Sequence, residues 1–197
     1  MGNFKTIDEV QDGFLNAKQY TISECISHKS ELPKSGIYGW YFAKDAFKNA
    51  IVNVPYDGCV GNLGYSLLYV GIGPSGAVSK KPSKKPRILS DRLIKNHFNG
   101  SARNSTVRKS IGCLLREELG LIPRKMAGDK FNFGDSEEIL SKWLRSNARV
   151  AFVAVDDPWL YEGEIISKLQ PPLNINGDPH PFSKILENLR AETLHSL

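Results

Sequence analysis

Two tyrosines, Tyr38 and Tyr69, each stand close to glycine in a short run without charge, Gly36–Phe42 (GIYGWYF) and Leu67–Ile72 (LLYVGI). A phenol in such a run is apolar in body and hydrogen-bonding at its tip, and the glycines let a ligand or another backbone approach closely. One tyrosine of this kind reads as a core aromatic with a satisfied hydroxyl; two read as the floor of a site. A second feature is Glu162, which shares a helical stripe with Trp159, Ile166 and Leu169, whereas Glu164 lies one step off it in solvent. Burying an unpaired carboxylate costs on the order of several kcal/mol, so Glu162 either snorkels at the rim of the core or faces a divalent cation. Pro171-Pro172-Leu173-Asn174 stops that helix, and the Asn174 amide could bridge loops near the glutamate. A third feature is cationic: Lys80, Lys81, Lys84, Lys85 and Arg87 fall within eight residues that include two prolines. This is an extended basic loop, either a solvated surface or a phosphate contact with salt-dependent affinity.

These groups must be positioned by a few elements. Ile7, Val10, Phe14, Leu15 and Ile22 recur at helical spacing and predict one or two helices between Thr6 and Ile26, covering a sheet. The two tyrosine runs and Val150–Val155 are continuous and apolar, and predict three strands covered on both faces. Between the first two strands, residues 43–66 are an insertion with loop character. Ile88–Phe98 predicts a helix that carries Arg92 and His97. Taken singly these are a surface arginine and a helix-end histidine; their place after the second tyrosine strand sets them apart. Ser105 caps a helix with Val107, Ile111, Leu114, Leu115 and Leu119 inward and Gly120 at its close. Arg103 precedes that helix, and Arg108 and Lys109 oppose the dipole in its first turn, as cations that serve an outside anion would. Asp135 to Glu138 has a capping-box pattern for a further helix, Asp157-Pro158 caps the helix of Glu162, and Ile185, Leu186 and Leu189 predict a small amphipathic helix in the tail.

Composition narrows the function classes. The chain has 197 residues, a net charge of +5 and a pI near 9.0, enough for one domain with appendages and compatible with an anionic partner. Cys25, Cys59 and Cys113 are scattered and odd in number, so neither a disulfide framework nor a zinc site is legible, and a reducing cytoplasm is the expected location. No apolar run suits a signal peptide or a membrane span. The turn Gly71–Gly76 opens no phosphate-binding P-loop, because no Gly-Lys-Ser/Thr follows it.

The paired wording GIY and YVG, together with Glu162 before a proline-rich break and Asn174 beyond it, resembles the GIY-YIG nuclease family. The long segment between the tyrosines is closest in style to its Eco29kI-like restriction-endonuclease branch. The resemblance runs from about Gly36 to Asn176 and implies an α+β fold, a small three-stranded antiparallel sheet flanked by helices. Residues 35–176 would then form the nuclease domain, 1–34 an N-terminal helical cover and 177–197 a helical tail. Arg92 falls where the family has its helix arginine, and His97 near the histidine of the restriction branch. The two are five residues apart, one more than a helical turn, so an uninterrupted α-helix would turn His97 away from Arg92. Either the helix loosens near Asn96 or His97 is a bystander.

By this resemblance the chain would hydrolyse DNA phosphodiester bonds, with RNA as a further substrate class and a homodimer as a compatible assembly. Glu162 would hold one Mg²⁺ or Mn²⁺, Arg92 would stabilise the pentacoordinate phosphate, and Tyr38 would be the general base. A free phenol with a pKa near ~10 is a poor base at neutral pH, so Tyr38 would depend on the cation, Arg92 or neutral His97. Tyr69 would orient phosphate or water, and Asn174 would hold the site together. Lys80, Lys81, Lys84, Lys85, Arg87, Arg103, Arg108 and Lys109 are the candidates for contacting the nucleic-acid backbone. Two other classes compete: a silent nucleic-acid-binding module of the same fold, and an unrelated α/β domain with a pocket for a small anion.

Overall fold

The computed structural model describes residues 6–74, 88–128, 130–177 and 179–197. The basic stretch from Lys80 to Arg87 therefore lies outside the described residues. Helix α1 (Ile7–Leu15) starts at Thr6, whose hydroxyl accepts the Glu9 N–H while the Glu9 carboxylate accepts the Thr6 N–H. The same reciprocal cap at Thr21 and Glu24 sets off α2 (Ile22–Ser27) directly after a two-residue strand, β1 (Tyr20–Thr21). There follow β2 (Gly36–Ala43), β3 (Gly61–Asn62) and β4 (Tyr65–Gly73), then a π-helix over Asp91–Phe98 and α3 (Thr106–Leu114). A separate ribbon of β5 (Arg124–Met126) and β6 (Lys130–Asn132) leads to α4 (Glu137–Asn147), β7 (Ala148–Ala154), α5 (Glu162–Leu169) and α6 (Ser183–His195).

The main sheet has five strands in the order β1-β7-β2-β4-β3, with every pair antiparallel, rather than the expected three. The expected three are its centre. The two additions are edge strands of two residues each, too short for any period-two pattern to show in sequence. Alternation along β2 divides two cores. Tyr38, Trp40 and Phe42 face a core built with Leu93 and Phe98 of the π-helix, Ile111, Leu144 and Leu186. Ile37 and Tyr41 face the other, with Val10 and Phe14 of α1 and Ile165 and Ile166 of α5. Full burial of each such side chain stabilises by roughly 1.5–3 kcal/mol, and β2 is buried at every position but its last. By contrast, β7 is half-covered over Phe152–Ala154, so the reading of a strand buried on both faces is corrected there.

A bulge and two glycines shape the sheet around Tyr38. Trp40 pairs with Tyr69 and Tyr41 with Leu67, which leaves Leu68 as the extra residue of β4. Leu68 and Tyr69 consequently both pack into the core that holds Tyr38. Gly71 pairs with Tyr38, and a Cβ at Gly71 would lie 2.6 Å from the Tyr38 hydroxyl oxygen. A Cβ at Gly39 would meet the Phe14 ring at the same distance. The glycines thus make room for the protein's own side chains, not for a ligand.

Two expectations fail at the junction of α3 and α4. The Asp135–Glu138 capping box does not form: Gly134–Ser136 is a 3₁₀ turn, α4 begins at Glu137, and its carboxylate instead accepts the N–H groups of Ala102 and Phe133. Arg108 serves no outside anion. Its side chain is fully buried, with Nη2 2.7 Å from the Glu137 carboxylate and Nη1 donating to the His97 carbonyl at 2.9 Å. The guanidinium fork ties the end of the π-helix to α3 and α4, a geometry lysine cannot reproduce. Arg108→Ala would strand a partly buried carboxylate and the carbonyls of His97, Phe98 and Glu137, and urea denaturation is expected to read a loss of about 3 kcal/mol. A loss under about 1 kcal/mol would contradict this structural role.

Candidate active site

Four of the predicted site residues, Tyr69, Arg92, Glu162 and Asn174, converge at the outer edge of β4. Strand β3 covers that edge only at Tyr65 and Ser66. Farther along, the segment after α5 takes over: Leu173 N–H donates to the Leu68 carbonyl at 2.8 Å, and Asn174 acts as a strand in miniature. Its Oδ1 accepts the Val70 N–H and its Nδ2 donates to the Val70 carbonyl, both at 2.8 Å, with the side chain buried. The strand that carries Tyr69 is thereby fixed to the loop that leaves the helix of Glu162. Beside this seam lies a cleft of about 240 Å³ lined by Tyr69, Arg92, Thr106, Glu162, Asn174 and Gly177, among others.

Arg92 and His97 lie on one side of their helix because it is a π-helix, and the Arg92 charge reaches the imidazole. Asn99 N–H donates to the Ile94 carbonyl, five residues back, at 3.0 Å. In that winding residues five apart share a face, so the extra residue between Arg92 and His97 is absorbed. His97 is fully buried, with Nε2 2.6 Å from the Tyr38 hydroxyl and Nδ1 2.7 Å from Ser105 Oγ. Tyr38 also lies near Tyr69, with ring centres 6.5 Å apart.

Burial sets the charge states. It pushes the Tyr38 hydroxyl well above the ordinary phenol range, helped by Tyr69 and opposed by the adjacent Arg92 guanidinium. Tyr69 is raised by burial too, again with Arg92 in opposition. His97 is held well below the usual imidazole range by burial first, then by the charges of Arg92 and Arg108. At rest the pair is a protonated phenol beside a neutral imidazole. Arg92 stays charged: burial works against its cation, but Tyr38, Tyr69 and Glu162 outweigh that, and its Nε–H is buried without a partner. An unpaired guanidinium donor in a cleft is suited to an anionic oxygen.

Glu162 sits differently from its prediction. Asp157 takes a left-handed conformation (φ 51°) before a separate 3₁₀ turn, Pro158–Leu160, and α5 begins at Glu162 itself. The carboxylate thus lies in the first turn of its helix, where the dipole favours it. Even so, burial raises its pKa, with Arg92 partly opposing. Among the described residues no three His, Cys, Asp or Glu side chains gather to hold an ion. A lone desolvated carboxylate on an open cleft nonetheless fits one small hard cation that keeps most of its waters.

The other cationic candidates separate. Lys80, Lys81, Lys84, Lys85 and Arg87 lie outside the described residues. Arg103 is exposed. Arg108 is the buried clamp described above, and Lys109 is half-buried with its ammonium 5.4 Å from the centre of the Phe131 ring.

Two neighbours escaped the sequence reading. Ser105 was legible only as a helix cap, which it is, accepting the Arg108 N–H at 3.2 Å. Arg190 of α6 donates from Nη2 to the Thr106 carbonyl at 2.6 Å, its charge is felt by Tyr69, and its Nε is buried without a partner. The available signal was its spacing: it follows the buried Leu186 by four, a cation on an apolar stripe as Glu162 is an anion on one.

No curated protein and no solved structure gives a significant match to this chain. A family model does: that of the GIY-YIG catalytic domain matches residues 36–192, from the first residue of β2 into α6. That span holds both tyrosine strands, the π-helix, Glu162, Asn174 and Arg190, and it shows that the chain belongs to the GIY-YIG catalytic domain family.

Proposed function

We propose that this protein is a divalent-metal-dependent endonuclease that hydrolyses DNA phosphodiester bonds. The observation that carries the reading is the convergence of Tyr69, Arg92 and Glu162 at one cleft, with the Tyr38 hydroxyl buried behind it near Tyr69 and Arg92 and a neutral His97 on that hydroxyl. The Arg92 guanidinium, which lines the cleft, takes a non-bridging oxygen of the scissile phosphate and stabilises the charge that builds on it in the transition state. Tyr38 accepts a proton from the attacking water as it passes its own to His97 Nε2. The water oxygen bonds to phosphorus, the bond to the leaving oxygen breaks, and that oxygen takes a proton from solvent. This coupled transfer answers the basicity problem: neither a free phenolate nor an imidazolium has to exist beforehand in a buried site that disfavours both. Glu162 holds the Mg²⁺ or Mn²⁺, which supplies Lewis-acid polarisation of phosphoryl oxygens when bound. Tyr69 orients phosphate or water, and Asn174 keeps the β4 edge and the α5 loop in register. The Tyr38–His97 contact favours the restriction-endonuclease branch of the family.

Supercoiled plasmid incubated with Mg²⁺ or Mn²⁺ tests this. Wild type is expected to nick or linearise it, EDTA to stop the reaction, and Tyr38→Phe to lower the rate by roughly 10²–10⁴-fold, the range for loss of an acid–base group. A Tyr38→Phe variant as fast as wild type would remove Tyr38 from the chemistry. A wild type that binds plasmid in low salt yet never cuts it, or any short duplex panel, would favour the silent module.

A further inference from the structure

Ser105 contacts the imidazole nitrogen opposite Tyr38 and is not among the residues that line the cleft, and no part of the chemistry above requires it. Three buried hydroxyl and imidazole groups nonetheless form an unbroken line, Tyr38 Oη to His97 Nε2 at 2.6 Å and His97 Nδ1 to Ser105 Oγ at 2.7 Å. Ser105 is 1% exposed and His97 and Tyr38 are 0% exposed, so no solvent competes for either contact. A contact of 2.6 Å suits an O–H donor, and with the shared proton on Tyr38 the acceptor is Nε2. A neutral imidazole carries one ring proton, and it must then be on Nδ1. Ser105 Oγ also accepts the Arg108 N–H as the cap of α3, so the helix start fixes where this oxygen sits. A hydroxyl oxygen has two acceptor sites, and the helix cap and the imidazole use both.

We infer that Ser105 is a positioning residue for the proposed reaction, which holds His97 in the Nδ1–H tautomer so that the Nε2 lone pair faces Tyr38. This rests on the nuclease reading for its purpose but not for its geometry. Without Ser105, Nδ1–H loses its acceptor in a site closed to water. The ring then gains by moving its proton to Nε2, where the phenol oxygen can accept it, and that tautomer cannot receive the Tyr38 proton. Loss of the cap must be separated from loss of the orienting contact. Ser105→Gly does so, because glycine is a tolerated N-cap that offers the imidazole nothing, and Ser105→Thr restores both functions.

The test combines ¹⁵N NMR of the histidine ring, on the full chain, with plasmid nicking. Wild type and Ser105→Thr are expected to show His97 with a protonated Nδ1 and a bare Nε2. Ser105→Gly is expected to fold, to shift the His97 signals toward the Nε2–H form, and to lose roughly 10- to 100-fold in nicking rate, as orienting partners of functional imidazoles do. Ser105→Thr is expected to retain the rate. A wild-type His97 protonated at Nε2, or a Ser105→Gly protein with unchanged His97 signals, would overturn the inference. A wild type inert on every DNA would sink the nuclease reading alone, and the ring signals would still decide the role of Ser105.

Discussion

Arg92→Ala is expected to slow plasmid cleavage by about 10³-fold without unfolding the protein, the scale of loss when one preorganised donor to a developing oxyanion is removed. The basis is an asymmetry in how Arg92 is held. Arg108, equally part of this region, is satisfied at every side by Glu137 and by the carbonyls of His97 and Phe98. Arg92 is buried enough to lose hydration, yet its Nε has no partner, and the groups around it are the two tyrosines and Glu162. The folded site favours the Arg92 cation on balance, although one donor goes unused, so its removal should lower the thermal midpoint by only a few degrees. Arg92→Lys keeps the charge but loses the fork, and should fall between wild type and alanine. The measurement is the single-turnover nicking rate beside a melting curve for each variant. An Arg92→Ala protein that melts many degrees lower would make Arg92 a structural residue like Arg108, and one that cuts at the wild-type rate would remove it from the reaction.

How much of this was legible in sequence depends on what kind of signal each feature leaves. The three central strands show because a strand covered on both faces is a continuous apolar run; β1 and β3 do not, because two residues carry no period. Glu162 was found as a charge out of place, and Arg92 by its position after the second tyrosine strand. The start of α5 was misjudged because Asp157-Pro158 mimics a cap, while in three dimensions Asp157 turns left-handed and opens a 3₁₀ turn instead. That Arg92 and His97 share one side of their helix was illegible, since sequence spacing is converted into geometry only after a winding is assumed, and here the winding is π. Arg108 shows the converse error. A cation in the first turn of a helix looks surplus until Glu137, 29 residues on, is brought beside it by tertiary packing. The role of Ser105 required the histidine to be placed first.

The second large effect concerns Glu162, where function and stability are expected to move in opposite directions. Burial raises its pKa in the folded chain above the ordinary carboxylate value of 4.5. Between the unfolded and folded values the native state therefore binds more protons than the unfolded one, and stability falls as pH rises through that window. Below pH 4.5 the penalty is absent, and it grows as pH rises through the folded value, because an ionised Glu162 is then held in a desolvated cleft with only Arg92 in partial opposition. Glu162→Gln keeps the shape and removes the charge, so in EDTA it should melt above wild type at neutral pH and level with it near pH 4. Cleavage should fall by about 10³-fold or more, the several kcal/mol that a bound cation contributes to transition-state stabilisation. Added Mg²⁺ supplies the discriminating observation. A cation that binds only the folded form at 100 times its Kd stabilises by about 2.7 kcal/mol, so wild type should gain several degrees and Glu162→Gln should gain none. Equal Mg²⁺ responses in the two proteins would remove Glu162 as the metal ligand, and a Glu162→Gln protein less stable than wild type in EDTA would mean that its carboxylate is held for the fold and not for a cation.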